Sequence, residues 1–249
     1  MIFGLAGLFG LVIGSFLNVA IHRVPRGESI VWPGSRCPAC GTEIKATDNL
    51  PVLSFLLLRG RCRSCKAPIS VRYPAVEALT CVLFVAAAYE FGFGLPLISA
   101  LVLICALIVL AGIDLEHRLL PNVIVAPAAI LGLAISVLQD PERWWVYLAS
   151  SVAIAGGLLA LALAYPGGMG MGDVKMGGML GAFLGPYAAL AIFLGAVVGA
   201  ATAGVLMAAG RMDRRYALPF GVFMAVGAVV TLLIGPELWE IYLDLLWPG

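Results

Sequence analysis

Asp114 and Asp173 stand where an acid is expensive. Asp114 closes the apolar run 101–113, and Asp173 ends the glycine-rich string 167–172 and opens another apolar run. A carboxylate at membrane depth costs about 3 kcal/mol on insertion scales, so its presence calls for a use. Two carboxylates brought together cannot both ionise easily. The ionised one can draw a proton from water, while the protonated one supports an oxyanion and the leaving amine, which is the chemistry of peptide-bond hydrolysis. Each acid also has a plainer reading. Asp114 could cap a span end or pair with Arg118, and Asp173 could be the N-cap of the helix that follows. Gly170 and Gly172 would let a substrate backbone come close to Asp173.

Four of the six cysteines read Cys37-Pro-Ala-Cys40 and Cys62-Arg-Ser-Cys65, with 21 residues between the pairs. Each pair can aim two thiolates at one ion, and two pairs complete a tetrahedral four-sulfur shell that suits zinc. Such a closed shell is structural, since it leaves no open position for catalysis. The alternative is two disulfides, which a cytoplasmic location disfavours. Cys81 and Cys105 lie singly in apolar runs and read as small buried hydrophobes. His22 and His117, the only histidines, read as interfacial residues near arginines. Glu77 and Glu90 read as solvated ends of one span. Lys175 is read three ways: tuning Asp173, meeting a substrate carboxylate, or anchoring the chain at the interface.

The elements that must position these groups are membrane spans. The 249 residues are 62% hydrophobic and 12% charged, with mean hydropathy +1.04, against about 25% charged in a soluble domain. The fold class expected is an all-α polytopic membrane protein of about eight transmembrane helices, embedded in the lipid bilayer. The spans are read at 2–21, 75–94, 96–114, 122–138, 147–165, 174–185, 186–209 and 218–235. The span 174–185 is short, about 18 Å at 1.5 Å per residue, against a hydrocarbon core of about 30 Å. The first span lacks the features of a cleaved signal peptide and reads as retained. The domains expected are a first helix at 1–21, a zinc-binding segment at 22–74, a membrane body at 75–235 and an interfacial tail at 236–249. No internal repeat and no nucleic-acid partner are expected. Eight crossings place 14 of the 15 lysines and arginines on one side, including nine in 22–74 and Arg118, Lys175, Arg211, Arg214 and Arg215, with only Arg143 opposite. The positive-inside bias makes that side cytoplasmic. It also puts Asp114 and Asp173 at the same membrane face. Trp144, Trp145, Trp239, Tyr242 and Trp247 fit interfacial belts.

Gly170-Met171-Gly172-Asp173 resembles the GxGD signature of membrane aspartyl proteases. Asp114-Leu-Glu-His-Arg-Leu-Leu-Pro121-Asn122 resembles the partner motif of type IV prepilin leader peptidases. The likeness extends through Gly14-Ser15-Phe16-Leu17-Asn18-Val19, the paired CxxC, Asp48-Asn49-Leu50-Pro51 and Arg72-Tyr73-Pro74-Ala75-Val76-Glu77. Leu50 and Lys66 stand where relatives often carry Ile and Gly. The resemblance implies an enzyme of the bacterial cytoplasmic (inner) membrane. Its substrates would be prepilins or pseudopilins of type IV pili or type II secretion. It would remove a basic leader by cutting after a glycine on the cytoplasmic side, with Asp114 and Asp173 catalytic. Relatives carrying the cysteine segment are commonly bifunctional, which implies N-methylation of the new terminus with S-adenosylmethionine, at a site expected in 22–74 and its junction with the first two spans. Two alternatives stay open: a peptidase without methylation, and a transporter or assembly protein with the acids in an ion path.

Overall fold

The computed structural model describes residues 2–165, 168–211 and 218–246. Gly167, Arg214, Arg215 and Trp247, and the side chain of Tyr242, lie outside the described residues. The chain divides into two compact units, Met1–Leu97 and Ile98–Gly249.

In the first unit, helix α1 (Ile2–Arg23) packs along α3 (Arg72–Phe91). Glycines on α1 set how close they come. A Cβ on Gly10 would lie 2.8 Å from the Cys81 Cα, and one on Gly14 would lie 2.7 Å from the Glu77 Cα. Small residues allow such contact in lipid, where tight packing holds helices together. Helix α1 stops at a turn containing Pro25, capped by Gly27 in the left-handed region at φ 68°. Between α1 and α3 lie the cysteine pairs and a short helix α2 (Leu53–Leu57). Before α2, the Leu53 N–H reaches the Pro51 carbonyl at 2.6 Å, closing a γ-turn around Val52 at φ 60° and ψ −49°. A β-branched residue in that region is strained by about 1–3 kcal/mol.

The second unit holds most of α4 (Leu95–His117), then α5 (Asn122–Gln139), α6 (Trp144–Ala164), α7 (Met171–Leu184), α8 (Ala188–Ala208) and α9 (Phe220–Leu246). Helix α7 is buried along one continuous stretch from Met176 to Leu184 and packs on α6, α5 and α9. Glycines again make room: a Cβ on Gly181 would sit 2.5 Å from the Ser151 Cα, while the Ser151 hydroxyl donates to the Gly178 carbonyl at 2.7 Å. The core joins Leu103, Leu107 and Leu110 of α4 to Met176, Met179 and Leu180 of α7 and Met224 of α9.

Seven stretches of the described residues are long and apolar enough to cross a membrane. The sixth, Met171–Ala208, runs for 38 residues, nearly twice what one crossing needs. It is broken at Gly185, whose φ of 56° ends α7, so this one stretch carries both the short span read at 174–185 and the one after it. The last span was read to 235. Helix α9 instead bends at Ile234 (φ −138°) beside Pro236 and resumes to Leu246. Proline lacks the N–H and crowds the preceding turn, so the helix kinks there.

Candidate active site and metal centre

Asp114 lies in the last turn of α4, buried at 6% exposure. Its carbonyl accepts the Arg118 N–H at 2.9 Å, and Arg118 turns the chain out of the helix at φ 53°. That is a C-terminal stop made without the usual glycine. The carboxylate faces the backbone amides of Gly221 and Val222 in the first turn of α9, where N–H groups have no partner within the helix. Its Oδ2 is buried and has no hydrogen-bond partner among the described residues. A Cβ on residue 221 would come 2.9 Å from that oxygen.

Asp173 is not the N-cap of α7. That position belongs to Gly170, in extended conformation, and Asp173 is the third helical residue. The Gly170 N–H donates to Asp173 Oδ2 at 3.2 Å, and the Asp173 N–H donates to the Gly170 carbonyl at 3.1 Å. This reciprocal pair fixes the carboxyl and leaves its other oxygen available.

Leu120 joins the two acids. A Cβ on Gly172 would lie 3.0 Å from the Leu120 Cβ, and one on Gly221 would lie 3.0 Å from the Leu120 Cδ2. The glycine before Asp173 and the glycine against Asp114 thus both pack on one side chain. The two carboxylates are near enough for their charges to interact. Lys175 donates from Nζ to Asn122 Oδ1 at 3.0 Å and ties α7 to α5. Gly221 and Leu120 did not stand out in the sequence as site residues; the available signal was the Pro219-Phe220-Gly221 turn opening the last span.

The four cysteines also meet. Their sulfurs all lie within 4.8 Å of one another, and the Cys37 and Cys65 sulfurs are 3.8 Å apart. A tetrahedral ion with metal–sulfur bonds of about 2.3 Å would hold its sulfurs about 3.8 Å apart, so the donor set and spacing fit zinc. Two turns of one design present them. The Cys37 N–H donates to the Thr42 carbonyl at 2.9 Å and the Cys62 N–H to the Ala67 carbonyl at 2.8 Å, while the Ile44 and Ile69 amides return to Ser35 and Gly60 at 2.9 and 2.7 Å. The residue after each second cysteine has positive φ: Gly41 at 70° and Lys66 at 61°. Arg36-Cys37-x-x-Cys40-x-x-x-Ile44 recurs as Arg61-Cys62-x-x-Cys65-x-x-x-Ile69, so the segment contains a short repeat where none was expected.

The Thr42 hydroxyl and amide beside Cys40 hold its thiol low, at about 6. Despite an amide from Ala67 that favours its thiolate, Cys65 is pushed up to about 11 by desolvation and its neighbouring thiols. Four thiolates repel one another, and a dication removes that conflict. Arg63 clamps Asp48 with a two-pronged contact of 2.7 and 2.6 Å, fastening the second turn to the stretch between the pairs. Of the two histidines, His22 contacts Arg26 and His117 lies 3.9 Å from Glu116.

Residues 8–91 match the family Bacterial Peptidase A24 N-terminal domain, and residues 101–205 match the Type IV leader peptidase family. The prepilin leader peptidase/N-methyltransferase of Bacillus subtilis is 34% identical, over 96% of this chain and 96% of its own. The chain belongs to the type IV leader peptidase family. The relative from Pseudomonas aeruginosa is 34% identical over 95% of this chain and 92% of its own. That from Myxococcus xanthus is 43% identical over 84% of this chain and 64% of its own. No solved structure matches. The leader peptidase match includes Asp114 and Asp173, and the N-terminal match includes all four clustered cysteines.

Proposed function

We propose that this protein is a membrane aspartyl endopeptidase that removes the basic leader of type IV prepilins or pseudopilins, cutting after a glycine, and that it also methylates the new N-terminus. The observation that carries the peptidase reading is the pair of interacting acids, each beside a glycine packed on Leu120, one acid with a buried oxygen that finds no partner among the described residues. In this reading one carboxylate is ionised and takes a proton from a water that attacks the scissile carbonyl. The other, protonated, stabilises the oxyanion and then protonates the departing amine. The proton belongs to the pair and not to a named residue. The Gly221 and Val222 amides face Asp114, and the Gly170 amide holds Asp173. Gly172 leaves space where a side chain would block the approach to Leu120.

The charge asymmetry supports a cytoplasmic active face in the bacterial inner membrane. Cys37, Cys40, Cys62 and Cys65 would hold a structural zinc. It would order a segment with few apolar residues of its own to bury. S-adenosylmethionine, when bound, supplies a methyl group on a positively charged sulfur. The names of the relatives support that second activity, and the mass of the mature pilin N-terminus tests it. The peptidase is tested with purified protein and a prepilin: Asp173→Asn, at normal abundance, abolishes processing. Processing at the native rate would end the two-aspartate reading.

A further inference from the structure

The first unit contains a cavity of about 300 Å³ that the peptidase chemistry does not use. That is within the size range of small-molecule sites. Its lining includes three polar side chains that are more than nine-tenths buried: Asn18 at 1% exposure, and Ser54 and Glu77 at 7% each. The Asn18 amide nitrogen donates to the Tyr73 carbonyl at 3.0 Å, while its Oδ1 has no partner among the described residues. Glu77 Oε2 accepts the Val52 N–H at 2.7 Å. Val52 is the strained residue of the γ-turn at φ 60°, and it also lines the cavity. Glu77 is expected from the sequence to be a solvated span end. The structure instead buries it, with the backbone of residue 52 bent out of its ordinary range to meet it. Strain kept at one place suggests use.

The lining chemistry selects a ligand. Buried oxygens of Glu77 and Asn18 are acceptors and call for a cationic or hydrogen-rich group. Val19, Leu50 and Phe55 give an apolar wall suited to a flat ring, and Arg36 and Lys45 offer charge for a carboxylate. A molecule with a cationic head, a free carboxylate and a purine combines all three. We propose that this cavity is the binding site of the sulfonium methyl donor, with Glu77 and the Asn18 carbonyl oxygen receiving its cationic end. The proposal rests on the methyl-transfer reading above and adds the cavity and the binding residues.

The test measures binding, without substrate turnover. Radiolabelled S-adenosylmethionine is equilibrated with the full-length protein in detergent, and a photoreactive adenosyl analogue is cross-linked and mapped by mass spectrometry. Glu77→Gln keeps an oxygen for the Val52 amide while removing the charge. The expected result is donor affinity at least ten-fold weaker in E77Q, and cross-links in the native protein on peptides bearing Ser15, Asn18 or Leu50. Donor binding of native strength in E77Q, with cross-links confined to residues 98–249, would overturn the location and leave methyl transfer standing. No donor binding by the native protein would overturn both.

Discussion

Gly221→Ala isolates the geometry of the acid pair from its chemistry. The added Cβ would lie 2.9 Å from Asp114 Oδ2 and 3.0 Å from Leu120 Cδ2, about half an ångström inside ordinary contact. Both atoms are side-chain ends, so the fold yields cheaply: the carboxylate swings and Leu120 changes rotamer. Alanine also favours a helix over glycine by about 0.5–1 kcal/mol, which offsets the crowding. Abundance and melting should therefore stay near native. Catalysis should not, because misplacing a reacting group by about 1 Å can cost on the order of 100-fold. A displacement of half that size is expected to slow processing by roughly 10-fold. The assay is the initial rate of leader removal from a purified prepilin in detergent, at matched enzyme concentration. Gly204→Ala serves as the control, since none of the described residues lies within 4 Å of its Cβ position; its rate should stay within about two-fold. If Gly221→Ala cuts at the native rate, Asp114 does not work from the position described.

The metal segment yields further expectations. Lys66→Gly should stabilise it by about 0.5–1 kcal/mol, since a left-handed non-glycine residue costs about 1–2 kcal/mol and glycine returns part of that as entropy; a higher chelator midpoint would show it. Gly41→Ala should shift the midpoint the opposite way, through conformation alone, because nothing lies within 4 Å of its Cβ position. Cys62→Ser should reduce bound zinc well below one per chain by elemental analysis, and full retention would exclude four-sulfur ligation. The Arg63 hydrogen bonds hold the Asp48 carboxyl below the usual carboxylate range. A depressed folded-state value stabilises above the unfolded value, about 3.9, and that stability is lost as pH falls through the folded one. Asp48→Asn should remove this acid-side loss, as followed by proteolysis of residues 22–74 between neutral and acid pH.

The parts legible in the sequence were those with a cost attached. Asp114 and Asp173 stood out because acids are dear in apolar runs, and the cysteine quartet because its spacing has few other uses. The helices followed from apolar length, though the stretch 171–208 could be divided only weakly before Gly185 was seen to take a positive φ. Gly221 was hidden because glycine in an apolar span reads as packing, and its partner Asp114 is over a hundred residues away in the chain. The burial of Glu77 is hidden for a related reason: a charge near a span end is ordinarily solvated, and only the fold reveals that Val52 turns its amide inward to meet it. The repeat around the cysteines was visible in Arg36/Arg61 and Ile44/Ile69, but it is carried by backbone hydrogen bonds and not by side-chain identity.

The claim that matters most is that Asp114 and Asp173 act as one unit, and the rates of Asp114→Asn, Asp173→Asn and the double variant test it directly. Groups that act together fail together. Each single variant is expected to lose as much prepilin cleavage as the double variant, at normal membrane abundance. Partial losses that multiply in the double variant, or a single variant that keeps the native rate, would contradict the account.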